Sequence, residues 1–266
     1  MRFERINLSD TSSEVYLEAY IADPIKDYTR KTMLVIPGGG YAEVCSDREG
    51  EPIALAFLAK GYNAFVLHYT VDKVHPFPTQ LIEAAEAIKY IKENAEKYGV
   101  NKDEVFVVGF SAGGHLAACT GILWKHPAIY ESISMTYGYN KPTGVILMYP
   151  VISPKHHGFS FNNLLCKSEP TESELATVSL DELVDADSSP AFILHTSNDE
   201  VVNVKNSLCL ANAYTEAGLK YELHIYPDAP HGVALGNRIT AIGVPKYDNP
   251  AIAKWIDAST YWMDNL

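Results

Sequence analysis

Hydrophobic positions along the chain follow two alternating periods. Short runs of β-branched and aromatic residues bounded by glycine, proline or asparagine predict strands. Longer stretches with apolar positions three and four apart predict helices. Residues 15–21 alternate apolar and polar, as expected of an antiparallel edge strand, and 32–36 form a short apolar run ending in Pro37-Gly38-Gly39-Gly40. A helix is predicted over 51–60, stopped by Gly61, and a buried strand over 63–69. Residues 80–98 carry the clearest helical stripe, with Leu81, Ile82, Ala85, Ile88, Ile91 and Ala95 in phase and Gly99 placed as the cap. Further strands are predicted over 103–108, 143–149, Ala191–Thr196 and Tyr221–Tyr226, with helices over 115–124, 204–217 and 250–263. Strands alternating with helices of this length imply βαβ units, hence an α/β fold with a mostly parallel central sheet flanked by helices.

One stretch breaks the alternation. Residues 151–190 show no strand signal, only short helix candidates at Glu172–Ala176 and 180–184. Long connections without strands are uncommon in compact domains unless they cover a site. The segment therefore reads as a small lid inserted after the sixth core strand, with a remote surface decoration as the alternative. At 266 residues the chain can bury one large core, so 1–266 reads as a single domain with this insertion.

The pentapeptide Gly109-Phe110-Ser111-Ala112-Gly113 stands between a predicted buried strand and a predicted buried helix. In that context G-x-S-x-G is a nucleophile elbow. The two glycines permit a sharp turn that lifts the Ser111 hydroxyl above the sheet and aims the helix N-terminus at an oxyanion formed beside it. A serine needs a base, and the base needs an acid to hold its tautomer. Strand Ala191–Thr196 is followed by Asp199, and strand Tyr221–Tyr226 by His231, in the chain order serine, acid, histidine. His68, His195 and His224 lie within strands and read as packed residues. His115, on the elbow helix, lies on the wrong side of the serine to act as its base. Glu200 and Asp187 are lesser candidates for the acid.

An oxyanion hole requires backbone N–H groups that approach closely. Gly39 and Gly40, together with Ala112 after the nucleophile, are the candidates. Tyr41, next to these glycines, and His156 and His157 in the lid are candidate substrate contacts. A phosphate loop is excluded: no G-K-[ST] follows, Glu43 would repel phosphate, and no G-x-G-x-x-G is present.

Composition narrows the partners. The formal net charge is −12 with the acids scattered, and no basic stripe is available to neutralise phosphates, so neither nucleic acid nor an anionic membrane is expected. Cys45, Cys119, Cys166 and Cys209 lie far apart without a C-x-x-C and read as unpaired thiols. No apolar run follows Met1–Asn7 and none is long enough to span a bilayer, so a cytoplasmic location is expected.

Four stretches, PGGGYAEVCSDREGEPIALAFLAKGYNAFVLHY (37–69), VGFSAGGHLAA (108–118), HTSNDEVVNVKNSLCLANAY (195–214) and YELHIYPDAPHG (221–232), occur in one consistent order together with HHG in the lid. In these the chain resembles the α/β-hydrolases of the esterase/lipase type, and among them the bacterial acetyl esterases and acetylxylan esterases. The resemblance implies the α/β-hydrolase fold, a triad of Ser111, Asp199 and His231, and an oxyanion hole at the glycines after Pro37. Pro37 departs from the wider lipase pattern, in which a histidine begins the H-G-G-G motif, and this leaves the first oxyanion donor open.

The expected activity is that of a serine carboxylesterase on short, acetyl esters of xylan- or other plant-derived oligosaccharides. No cofactor and no metal are expected, and self-association is compatible with the sequence. The polar lid residues His156, His157, Ser160, Asn162 and Asn163, with Phe159 or Phe161 to stack on a pyranose, suit a sugar alcohol. A serine peptidase of the same fold and a catalytically silent ligand-binding relative are the alternatives. The presence of all three triad members argues against the silent form.

Overall fold

The apolar runs become the inner strands of one sheet in the computed structural model of the chain, which describes residues 1–8 and 14–266. The strands are β1 (Arg2–Asn7), β2 (Tyr16–Ile21), β3 (Arg30–Ile36), β4 (Asn63–His68), β5 (Val100–Phe110), β6 (Gly144–Met148), β7 (Ala191–Thr196) and β8 (Tyr221–Tyr226). Their spatial order is β1-β2-β4-β3-β5-β6-β7-β8. From β4 to β8 all neighbours are parallel, whereas β1 and β2 run antiparallel to their neighbours. The helices that matter for the site are α1 (Ser46–Glu49), α2 (Glu51–Ala59), α3 (Thr79–Glu93), α4 (Ser111–Ile122), α5 (Phe159–Leu164), α6 (Lys205–Glu216) and α7 (Trp255–Asp264).

The inner strands read as unbroken apolar runs because both faces of the sheet are covered. In β5, Val105 and Val107 pack into a layer with Leu81, Ile88, Leu116 and Leu210 from α3, α4 and α6. Phe106, Val108 and Phe110 point the other way, against Phe57 of α2 and Trp255 and Trp262 of α7. Because β3, β5, β7 and β8 are parallel, their carboxyl ends share one rim, where the glycine loop, the elbow, the acid loop and the histidine loop meet.

Three expectations change. The strand predicted over 15–21 is second in the sheet, because Arg2–Asn7 pairs outside it from Arg2↔Ile21 to Asn7↔Tyr16. The helix predicted over 80–98 breaks at Asn94, whose side chain bonds to the Tyr90 carbonyl at 2.9 Å, and resumes as Ala95–Tyr98, with Gly99 left-handed at the end. The segment 151–190 contains a helix absent from the sequence reading, α5, besides Glu172–Ala176 and Leu180–Leu183.

Candidate active site

The elbow depends on the absence of two side chains. Phe110 ends β5 in extended conformation, and Ser111 turns the chain with φ 52° into α4. A Cβ on Gly109 would lie 2.1 Å from the Gly113 carbonyl oxygen, and one on Gly113 would lie 2.2 Å from that of Pro37. Strand, helix and glycine loop therefore approach more closely than any side chain allows, and Ser111 is pushed up at their junction.

The structure brings Ser111, His231 and Asp199 together. His231 Nε2 lies 2.8 Å from Ser111 Oγ, and His231 Nδ1 lies 2.7 Å from Asp199 Oδ2. Asp199 Oδ1 accepts the N–H groups of Val201 and Val202 at 2.9 and 2.8 Å, which fixes the carboxylate plane. His195 Nε2 stands 3.4 Å from Oδ2 on the buried side. Burial pushes the Asp199 carboxyl up, but hydrogen bonds from His195 and His231, the His231 charge and the Val202 N–H outweigh it and hold the group well below the usual carboxylate range. Ionised Asp199 therefore keeps the His231 proton on Nδ1 and leaves Nε2 free to take one from the serine.

The glycine loop is held from three directions. Gly38 N–H donates to Glu49 Oε2 at 2.8 Å, so this donor is already spent and the loop's free N–H groups begin at Gly39. Tyr69 Oη donates to the Pro37 carbonyl at 2.8 Å, and Asn163 Nδ2 of α5 donates to that of Gly40 at 2.8 Å. Gly39 and Gly40 have φ of 128° and 66°, a conformation that favours glycine. Both line, with Ser111 and His231, a cleft of about 380 Å³.

Segment 151–190 supplies His157, Phe159 and Ser160 to this cleft. His157 lies 2.9 Å from Ser160 Oγ and 3.2 Å from the Val201 carbonyl, so the segment touches both the glycine loop and the acid loop. Phe159 is 64% exposed and sits over Gly40, where a Cβ would meet its ring at 3.0 Å.

Other candidate contacts lie elsewhere. Tyr41 is buried beneath the loop with its hydroxyl 2.8 Å from His115 Nδ1, and it presents no surface to a substrate. His156 does not line the cleft, because the turn at Ser153 directs its neighbour His157 there instead. Phe161 is fully buried edge-on against His115 and cannot stack on a sugar, and Asn162 bonds outward to the Ser168 carbonyl.

The strand and helix histidines are partnered. His115 Nε2 meets the Val178 carbonyl at 3.0 Å, and burial lowers its imidazole to about 4, so it stays neutral and accepts from Tyr41. His195 is buried between Ser207 and Val202. His224 stacks on Phe192, and His68 stacks on Tyr16.

Glu49, Tyr149 and Arg48 escaped the sequence reading. Glu49 and Tyr149 are buried and bonded to each other at 2.8 Å across 100 positions of sequence, a pairing that no local pattern reveals. The charged run around Arg48 directly after the glycine loop was the available signal. All four cysteines are free. Among the described residues no group of three His, Cys, Asp or Glu side chains is arranged to hold a metal, and no helix is long and apolar enough to cross a membrane.

Residues 17–214 match the protein-family model described as BD-FAE. The chain is 38% identical over 221 residues to endo-1,4-beta-xylanase B of Butyrivibrio fibrisolvens, a match covering 79% of this chain and 34% of that protein. It is 26% identical over 246 residues to an acetylxylan esterase of Xylanibacter ruminicola, covering 84% of this chain and 48% of that one. The chain thus spans a third to a half of the length of these curated relatives. The solved structure of MGS-M1, an alpha/beta hydrolase from a Medee basin deep-sea metagenome library, superposes with a TM-score of 0.81 at 34% identity, covering 100% of this chain and 97% of that one. Matched by the family model over most of its length, and sharing its fold from end to end with a solved α/β-hydrolase, the chain belongs to the BD-FAE family and is an α/β-hydrolase related to esterases.

Proposed function

We propose that the chain is a serine carboxylesterase that removes short acyl groups, acetyl above all, from hydroxyls of xylan- or other plant-derived oligosaccharides. The observation that carries this reading is the continuous relay from Ser111 Oγ to His231 at 2.8 Å and on to Asp199 at 2.7 Å, opening into a cleft. Ser111 Oγ attacks the ester carbonyl while His231 Nε2 takes its proton. The tetrahedral oxyanion rests on backbone N–H groups, assigned to Ala112 at the start of α4 and to Gly39 or Gly40. The imidazolium then protonates the departing sugar hydroxyl, leaving an acetyl ester on Ser111, and a water activated by His231 releases acetate by the reverse sequence.

The substrate class is supported by the walls of the cleft and by the acetylxylan esterase and xylanase among the relatives. Exposed Phe159 offers a ring face for a pyranose, and beside it stands His157, held by Ser160 Oγ and the Val201 carbonyl. A lipase would gain about 0.8 kcal/mol for each further methylene it buries, whereas this small cleft is interrupted by Glu43, Arg48 and His157. The test is kcat/KM across p-nitrophenyl acetate, butyrate and octanoate, followed by acetate release from acetylated xylo-oligosaccharides. Acetate is expected to lead the series, and a maximum at octanoate would sink the substrate assignment. In Ser111→Ala, kcat should fall by about 10³-fold or more without unfolding. A clean preparation of that variant with near-normal turnover would end the serine mechanism.

A further inference from the structure

Below the cleft lies a buried carboxylate that the triad does not use. Glu49 ends α1 and is 3% exposed. Each of its oxygens has a partner: Oε2 accepts the N–H of Gly38 at 2.8 Å, and Oε1 accepts the hydroxyl of Tyr149 at 2.8 Å. The Tyr149 oxygen in turn accepts the N–H of Ala234 at 3.0 Å, three residues beyond His231. The ring of Tyr149 packs edge-on to the imidazole of His231, with centroids 4.9 Å apart. A chain of hydrogen bonds thus runs from the glycine loop through one carboxylate and one phenol to the histidine loop. We propose that Glu49 is a positioning residue for hydrolysis, its two oxygens holding the glycine loop and the His231 loop in a single fixed relation. This rests on the triad reading above.

The proton inventory identifies the acting form. Tyr149 has one hydrogen and must receive one from Ala234, so its hydrogen goes to Glu49. The other oxygen also faces a donor, and a carboxylate, an acceptor at both oxygens, satisfies this pattern without leaving Tyr149 O–H unpartnered. Burying such a charge is costly unless it is fully paired. Burial pushes the Glu49 carboxyl up, and Gly38, Tyr149, His231 and Arg48 offset only part of that rise. An apolar side chain would fill the same space at lower cost but would release both loops.

The charges around the pair are few. Glu49 is faced by Arg48 from its own helix, by the Cys45 thiol, by Tyr69 from the end of β4, by Tyr149 from β6, and by His231. His231 is faced by Asp199, Ser111, His157, Tyr149 and Glu49, and Arg48 packs beside it at Gly232. Within this set Glu49 is a second negative charge near the imidazole, and it favours the protonated form that follows serine attack.

Glu49→Gln keeps the size of the side chain but turns an amide N–H₂ toward one of the two donors, so one link of the chain must break. The expected result is a fall in kcat of about 10- to 100-fold, the loss associated with a misplacement near 1 Å, with KM within about threefold. The acid limb of kcat/KM should also move to lower pH, because a negative charge beside the base is gone; a purely structural role leaves that limb in place. Tyr149→Phe, which removes only the bridging oxygen, guards against misfolding of the first variant. It should lower kcat in the same direction while the limb stays near wild type. Both are measured on p-nitrophenyl acetate beside wild type and Ser111→Ala. Wild-type kcat and an unmoved acid limb in a folded Glu49→Gln protein, with Ser111→Ala inactive, would overturn the proposal. An active Ser111→Ala would overturn the triad reading beneath it.

Discussion

Replacing Gly113 by alanine places a methyl group where the elbow, β3 and the glycine loop converge. The new Cβ would lie 2.2 Å from the Pro37 carbonyl oxygen and 2.3 Å from that of Ile36. Carbon–oxygen contacts settle at about 3.3–3.6 Å, so elbow and loop must part by roughly 1 Å. Neither obstacle yields easily: Ile36 is paired with Gly109 in the sheet, and the Pro37 carbonyl is fixed by the Tyr69 hydroxyl. Overpacking typically costs about 1–3 kcal/mol, and two backbone obstacles put this case near 3 kcal/mol. For a chain of this size that corresponds to a melting temperature lowered by roughly 6–12 °C. The same displacement separates Ser111 from the proposed oxyanion donors, and a shift near 1 Å lowers kcat by about 100-fold. Thermal melts and p-nitrophenyl acetate turnover read the two effects in one preparation. Gly158→Ala is the control, since Gly158 has φ −93° and a Cβ there meets nothing within 4 Å. It should stay within about 0.5 kcal/mol of wild type. A Gly113→Ala protein that melts and turns over like the control would refute the claim that close backbone approach builds the elbow.

Two further outcomes follow from the same geometry. The Asp199 carboxyl is depressed in the folded state, so its ionisation stabilises the fold above the unfolded value of about 3.9, and that contribution fades as pH falls below it. The gap in melting temperature between wild type and Asp199→Asn should therefore be widest at pH 5 and above and narrow toward pH 2.5; a constant gap would contradict the assigned shift. Asn163→Ala removes the bond from α5 to the Gly40 carbonyl, worth about 1 kcal/mol, so kcat/KM should drop roughly fivefold. Unchanged kinetics would detach segment 151–190 from the reacting arrangement.

Strands β7 and β8 were legible to the residue: β7 is a run buried throughout, and β8 alternates Tyr221, Leu223 and Ile225 with Glu222 and His224, both bounded by turn residues. The strand Arg2–Asn7 was not, since only Ile6 in it is buried and its charged neighbours carry no alternation. The elbow and the order serine, acid, histidine were visible because each lies immediately beyond a strand end, a position that sequence reports well. What lies beneath them was not visible. Glu49 sits in a charged stretch that reads as solvated surface, and its burial arises only when Tyr149 arrives from β6. Tyr41 follows the glycines in sequence, yet its φ of 57° turns the ring into the core, a reversal that residue type alone does not encode.

The catalytic loops do not share equal support. Ser111 hangs from β5, flanked by strands on both sides, whereas His231 follows β8, the last strand of the sheet, bonded only to β7. Outer strands open at a lower free energy than the global transition. On warming, the proposed base is therefore expected to be released while the proposed nucleophile stays in place, with turnover ceasing at a temperature where most of the secondary structure persists. Between those two temperatures the expected outcome is a folded but inert protein that recovers its activity on cooling and exchanges the amide hydrogens of 221–226 well ahead of those of 105–110.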